Sequence, residues 1–185
     1  MAQRMVDGEE YTSVLIKGGE DGSAIETITN GGSAVVSFQR PNDATAYTAG
    51  DVVAPSDTGY ISFSGLTANN GDIYITNAKL ALQASAVPAG MGAFRLHLFS
   101  LPPSGLSDNA AFSVTTSSVS SYQGFVEILS PIALGDHIYR QNETANLQVS
   151  LASGSSAIYG VLQTVNAWTP ASGTTVRAEI DYLPL

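Results

Sequence analysis

From Ala34 onward the chain is made of short runs of β-branched and aromatic residues, broken at close intervals by Gly, Pro, Asn and Asp. Two runs show the pattern most plainly. In Ala93–Leu101, Phe94, Leu96 and Leu98 alternate with Arg95 and His97. In Thr174–Tyr182, Val176, Ala178, Ile180 and Tyr182 share one parity, and Arg177, Glu179 and Asp181 the other. A period of two sends successive side chains to opposite faces of a strand, so these runs predict strands with one buried and one wet face. The same reasoning predicts strands at Ala34–Gln39, Asp51–Ala54, Gly59–Ser64, Asp72–Ala84, Gly124–Leu129, His137–Gln141, Asn146–Leu151 and Ala157–Trp168. Within Asp72–Ala84 a single parity is expected for Tyr74, Thr76, Ala78, Leu80 and Leu82, with Asn77, Lys79 and Gln83 opposite. Pro41-Asn42-Asp43 is a turn signal, because Pro presets φ and Asn and Asp bond their own backbone. The best helical candidate, Ser104–Phe112, is short. The expected fold is therefore all-β: a sandwich, jelly-roll-like, of about nine or ten strands.

Residues 1–33 differ from the rest. They hold six of the sixteen acids against two bases, Arg4 and Lys17, with one apolar patch at Val14-Leu15-Ile16. They are expected to be an N-terminal arm, or a first strand with loose ends, attached to a single β-domain at 34–185. The whole chain of 185 residues carries a formal charge of −9, yet only 12% of its residues are charged, against roughly 25% in an average soluble protein. Ser, Thr, Asn, Gln and Gly stand where charges would be, which gives strands a polar but neutral wet face. Two lysines, Lys17 and Lys79, are too few for a counterion-releasing surface, so no nucleic-acid partner is expected. The absence of cysteine excludes disulfides, thiolate metal sites and cysteine nucleophiles. Acidic residues in the first thirteen positions leave no room for a signal-peptide apolar core. No uninterrupted apolar run approaches twenty residues, so no membrane partner is expected.

Candidate chemistry is sparse. The two histidines, His97 and His137, are expected on a strand face pointing outward and in a turn. No G-x-S-x-G elbow accompanies the many serines. Asn69-Asn70-Gly71-Asp72, with Glu20-Asp21, could offer oxygens to Ca²⁺, but the first is foremost a tight-turn sequence. Glu127, Glu179 and Asp181 are the strand carboxylates that a glycosidase pair could use, and a solvated strand face explains them more simply. Asn142-Glu143-Thr144 matches a glycosylation sequon that has no relevance without a signal peptide. Trp168, Tyr47, Tyr60, Tyr122 and Tyr159 fall near strand ends, where rings either stack on sugars or close the ends of a core. No catalytic residue, cofactor site or metal site is expected.

Three stretches carry a resemblance: RPNDATAYTAGDVVA at Arg40–Ala54, VPAGMGAFRLHLFSLPPSGLSDNAAF at Val87–Phe112, and IYGVLQTVNAWTPASGTTVRAEIDYL at Ile158–Leu183. The most specific is the phrase Arg-Pro-x-Asp-x-x-x-Tyr-x-x-Gly-Asp-Val-Val. Together the stretches resemble small β-rich virion structural proteins of tailed bacteriophages, some of which are capsid decoration or cement proteins. The resemblance runs from about Ala34 to Tyr182 and brings no catalytic motif. It implies a non-enzymatic protein at the capsid surface, made in the host bacterial cytoplasm. The implied partners are the major capsid protein and further copies of the chain, as a homotrimer. A place in a tail or head fibre, with exposed rings such as Trp168 binding glycans, is the alternative.

Overall fold

Strands in this chain pair as nested partners, the first with the last and so inward. The computed structural model describes residues 31–66, 71–142 and 145–185. Expectations for residues 1–30, for Asn69-Asn70 and for Glu143-Thr144 lie outside them. The eleven strands are β1 (Gly32–Gln39), β2 (Val52–Val53), β3 (Ile61–Phe63), β4 (Asp72–Leu82), β5 (Phe94–Phe99), β6 (Tyr122–Ile128), β7 (Ile132–Ala133), β8 (Ile138–Asn142), β9 (Leu147–Ser150), β10 (Ile158–Thr164) and β11 (Thr175–Pro184). All pairings are antiparallel: β1 with β11, β2 and β3 with β10, β4 with β8 and β9, β5 with β6. Folding this long double ribbon over itself adds the β11–β4 and β10–β5 pairings. The result is two sheets, β1-β11-β4-β8-β7 with β9 also on β4, and β2-β10-β5-β6 with β3 also on β10. That is jelly-roll order, with β2 and β3 sharing one position and β8 and β9 another.

Between the sheets lies the main core. Ala178, Ile180 and Val176 from β11, Leu80 and Leu82 from β4, and Phe94, Leu96 and Leu98 from β5 are all at most 1% exposed. The expected alternation of β11 and of the inner face of β5 is thus present. Gly160 of β10 faces this core: a Cβ there would sit 2.9 Å from Phe63 and 3.0 Å from Leu96.

Four expectations need correction. First, β4 does not keep one parity. Ile73 and Ile75 are buried, then Ala78, Leu80 and Leu82. The register with β11 shifts so that Asp181 faces Asn77 and Tyr182 faces Ile75, leaving Thr76 as the extra residue of a bulge. A bulge flips every later side chain to the other face, and β4 changes its partner from β9 to β8 there. Second, Ser104–Phe112 is not helical; among the described residues the one helical element is a 3₁₀ turn at Val119–Ser121. The segment runs beside residues 50–52 instead, with Val52 N–H donating to Ala110 O at 2.9 Å and Phe112 N–H to Gly50 O at 2.9 Å. Third, the strand expected over Ala157–Trp168 ends at Thr164, and Trp168 forms a lone bridge to Tyr47. Fourth, β1 begins at Gly32, two residues ahead of the strand expected at Ala34–Gln39, and β7 is a strand that the alternation does not predict.

Filling the space at Gly160 tests the closeness of the two sheets. Gly160→Val should lower stability by about 1–3 kcal/mol, the usual cost of overpacking, read as a lower urea midpoint. An unchanged midpoint would mean that the sheets have slack at this point.

Candidate functional site

Three groupings of polar side chains stand out, and the first is buried. Arg40 follows Phe38 on the inner parity of β1, so its side chain enters the end of the sandwich and is 0% exposed. Its Nε donates to the Tyr47 hydroxyl, its Nη2 donates to Asp108 Oδ2 at 2.8 Å, and its Cζ lies 4.6 Å from the Tyr47 ring centroid. Asp108 Oδ1 accepts from the Tyr47 hydroxyl at 2.7 Å and from Ala54 N–H at 2.8 Å. Burial, and the Asp108 carboxylate beside it, push the Tyr47 phenol far above its usual range. Behind it Trp168 packs 5.0 Å from Tyr47 and 6.2 Å from Phe94, its Nε1 donating to Thr164 Oγ1 at 3.1 Å.

The rest of the Arg40–Val53 phrase is spent the same way. Asp43 Oδ1 accepts from Thr45 N–H at 3.0 Å, and Asp51 Oδ2 from Thr48 N–H at 2.6 Å. Gly50, at φ +94, donates to Thr164 O and accepts from Phe112 N–H and from Gln163 Nε2. Val52 and Val53 are buried. The phrase therefore encodes a structural tie, not a reactive centre.

The second grouping surrounds His97. Its side chain leaves β5 on the outer face, as expected, yet the residue is only 5% exposed. The 100–121 connection folds back over that face. Phe99, Val52, Ala54 and Val161 form a second apolar cluster there, covered by Leu106, Phe112 and Val114. Phe112 stacks on the imidazole at 4.0 Å, Nδ1 meets the Tyr122 hydroxyl at 3.1 Å, and Nε2 meets Gln163 Oε1 at 3.1 Å. Burial holds the His97 pKa below its usual value, more than the Gln163 hydrogen bond restores, and nearby Arg95 lowers it further. His137 lies exposed before β8.

The third is a ladder on the outer face of the six-stranded sheet. Lys79 Nζ lies 2.8 Å from both Glu179 Oε1 and Asp181 Oδ2, and Arg177 Nη2 lies 2.8 Å from Glu179 Oε2. Asp181 also accepts from Ser33 and from Asn77. Burial raises the Asp181 pKa, but the Lys79, Ser33 and Asn77 hydrogen bonds outweigh it and hold the carboxyl below its usual range. A glycosidase acid needs the opposite, a raised pKa that keeps a proton to give. Glu127 points away from the core on the other sheet, beside Arg95 at 3.5 Å, so it cannot pair with Glu179 across one bond. Asp72 accepts from Ser150 and Gln148, both at 2.7 Å, which ties β4 to β9. Among the described residues no three His, Asp or Glu side chains gather as metal ligands, and no helix is long and apolar enough to cross a membrane.

Arg40 opens the Arg-Pro-x-Asp phrase and Asp108 lies in the Val87–Phe112 stretch, but nothing in either marks the two as a buried pair. The available sign was Arg40 at core parity two positions after Phe38, directly before a proline that ends the strand.

No protein-family model matches the chain, and no curated protein does. Among solved structures, it is similar to a chain of the full particle of Israeli acute paralysis virus heated to 63 degrees: 12% identity, 95% of this chain and 83% of that one covered, TM-score 0.30. It is also similar to a chain of desmodium yellow mottle tymovirus: 11% identity, 92% and 97% covered, TM-score 0.26. Superpositions this loose add nothing to the fold or function argued from the chain itself.

Two outcomes follow from the buried groups. Asp108→Ala leaves the buried Arg40 guanidinium only the half-exposed Asp43 carboxylate, 3.8 Å away, and should cost about 3–5 kcal/mol, whereas the paired change Arg40→Met with Asp108→Leu should cost much less. Urea unfolding of both variants decides; a loss under about 1 kcal/mol for Asp108→Ala would show a solvated guanidinium. For His97, the folded state keeps the ring neutral while the unfolded chain binds a proton near pH 6.5. Its stabilising contribution is thus complete above that pH and declines as pH falls through it. Urea midpoints taken from pH 7.5 down to 5 should fall more steeply for the natural chain than for His97→Gln. Parallel curves would refute this.

Proposed function

We propose that this chain is a non-enzymatic structural protein of a tailed-bacteriophage virion: a capsid cement protein that holds neighbouring major capsid protein subunits together on the outer shell. It is made in the bacterial cytoplasm and acts as a homotrimer. The observation that carries this reading is the resemblance through Arg40–Ala54, because the residues of that phrase are the ones that tie the fold's connections together. A phrase used for architecture is what a protein whose task is mechanical would share with its like.

The surface supports the same reading. The wet face of the six-stranded sheet carries a ladder of paired charges, Lys79 and Arg177 with Glu179 and Asp181, beside an open depression of about 300 Å³ lined by Lys79, Tyr139, Gln141, Arg177 and Glu179. Charges already paired within the chain leave this face polar without net charge, as the rim of a protein contact is. The net charge of −9 keeps such a protein away from packaged genome. The tail-fibre alternative relied on exposed rings, and Trp168 is 4% exposed within the core.

Gold-labelled antibody against this protein, applied to virions in negative stain, should decorate the head over its whole surface. Label confined to the tail would overturn the capsid assignment, and label absent from intact particles would overturn the virion role.

A further inference from the structure

At the far end of the six-stranded sheet stands a cation that has no counter-charge among the described residues. Arg40 meets Asp108, Lys79 meets Glu179 and Asp181, Arg177 meets Glu179, and Arg95 lies 3.5 Å from Glu127. Arg140 has no carboxylate within ion-pair distance among the described residues, and its Nε is shielded from solvent with no acceptor. In β8 it stands opposite Leu80, a buried residue of β4, so it projects toward the seam where β6 of the other sheet comes near. There it lines an open depression of about 690 Å³ together with Leu129, Ile132, Tyr139 and Gln141.

Two aliphatic side chains of this lining are exposed, Leu129 at 52% and Ile132 at 53%, and Leu134 two residues on is 61% exposed. Glu127, Tyr139, Gln141 and Asn142 make up the polar part of the lining. β7 is the last strand of its sheet, so among the described residues one side of the Ile132–Ala133 backbone carries no strand. An open edge, exposed aliphatic side chains and an arginine without an ion-pair partner are features that an added strand can use: backbone pairing, side-chain contacts and a charge-assisted bond.

We propose that this corner takes an extended segment of a partner protein, with a carboxylate placed between aliphatic residues. The carboxylate pairs with Arg140 while its neighbours cover Leu129 and Ile132. The acidic balance of the chain and Glu127 in the lining oppose a polyanion such as nucleic acid, whereas one carboxylate is accommodated. This inference does not rest on the virion reading and stands or falls separately from it.

The test uses the full chain labelled with ¹⁵N and a synthetic leucine-rich peptide with one central glutamate, with the same peptide carrying glutamine in that place and acetate as further arms. The expected result is amide shifts confined to residues 129–134 and 139–142. Affinity should fall roughly tenfold or more for the glutamine peptide, and for the glutamate peptide on Arg140→Gln. Ile132→Asp, at an exposed position, should weaken binding comparably and keeps the test decisive where Arg140→Gln does not fold. Equal affinity for both peptides, shifts elsewhere, no shifts at millimolar peptide, or acetate competing as well as the peptide would each overturn the proposal.

Discussion

The arrangement depends on one buried contact set, the Arg40 guanidinium held by Asp108 and Tyr47. A buried charge of this kind contributes little net stability by itself, because desolvation offsets most of the attraction. What it contributes is placement. Asp108 sits in the long connection after β5, Arg40 at the end of β1, Tyr47 and Ala54 on either side of the turn before and after β2. Three connections that a jelly roll would otherwise leave loose are brought to one carboxylate. Any other position of Asp108 leaves the buried guanidinium only the half-exposed Asp43 carboxylate at 3.8 Å, so alternatives are penalised.

That tie has a consequence for the two outer faces of the sandwich. With Asp108 fixed, the 100–121 connection must cross the outer face of the five-stranded sheet, where it buries Phe99, Val161 and Val52 in a second cluster. Gly59 allows the close approach: at φ +68, a Cβ there would lie 2.1 Å from Leu106 O. The imidazole of His97 fills the polar gap under Phe112 and links this cover to Gln163 and, through it, to Gly50. One sheet is therefore covered over much of its outer face, leaving Arg95, Phe125 and Glu127 exposed beyond the cover, while the other keeps a wet face of ion pairs.

Much of this could be read from the residues. The alternation in β5 and β11 reveals the sandwich, and the polar parity of Arg177, Glu179 and Asp181 reveals the wet face. What failed did so for identifiable reasons. The bulge at Thr76 inserts one residue without any Gly to announce it, so the parity of β4 was extrapolated across a register shift. His97 does point outward from its strand, but whether an outward face is wet depends on a segment ten to twenty residues later. Ser104–Phe112 lacks a period of its own because its partners, residues 50–52, are distant in sequence. Arg140 drew no attention since its significance is an absence of partners, which is a property of the folded surface alone.

The jelly roll by itself hosts shells, lectins and enzymes, so the fold does not choose among them. The distribution of charge does more. A general-acid carboxylate must keep its proton near neutral pH, whereas Asp181 is eased into ionisation by Lys79, Ser33 and Asn77, and Asp72 by Ser150 and Gln148. The ionisable groups whose charged forms burial disfavours, Tyr47, His97 and Tyr122, sit in or against the two apolar clusters. Burial thus holds these groups neutral inside the fold, while Asp72 and Asp181 at the surface are held ionised by their own neighbours.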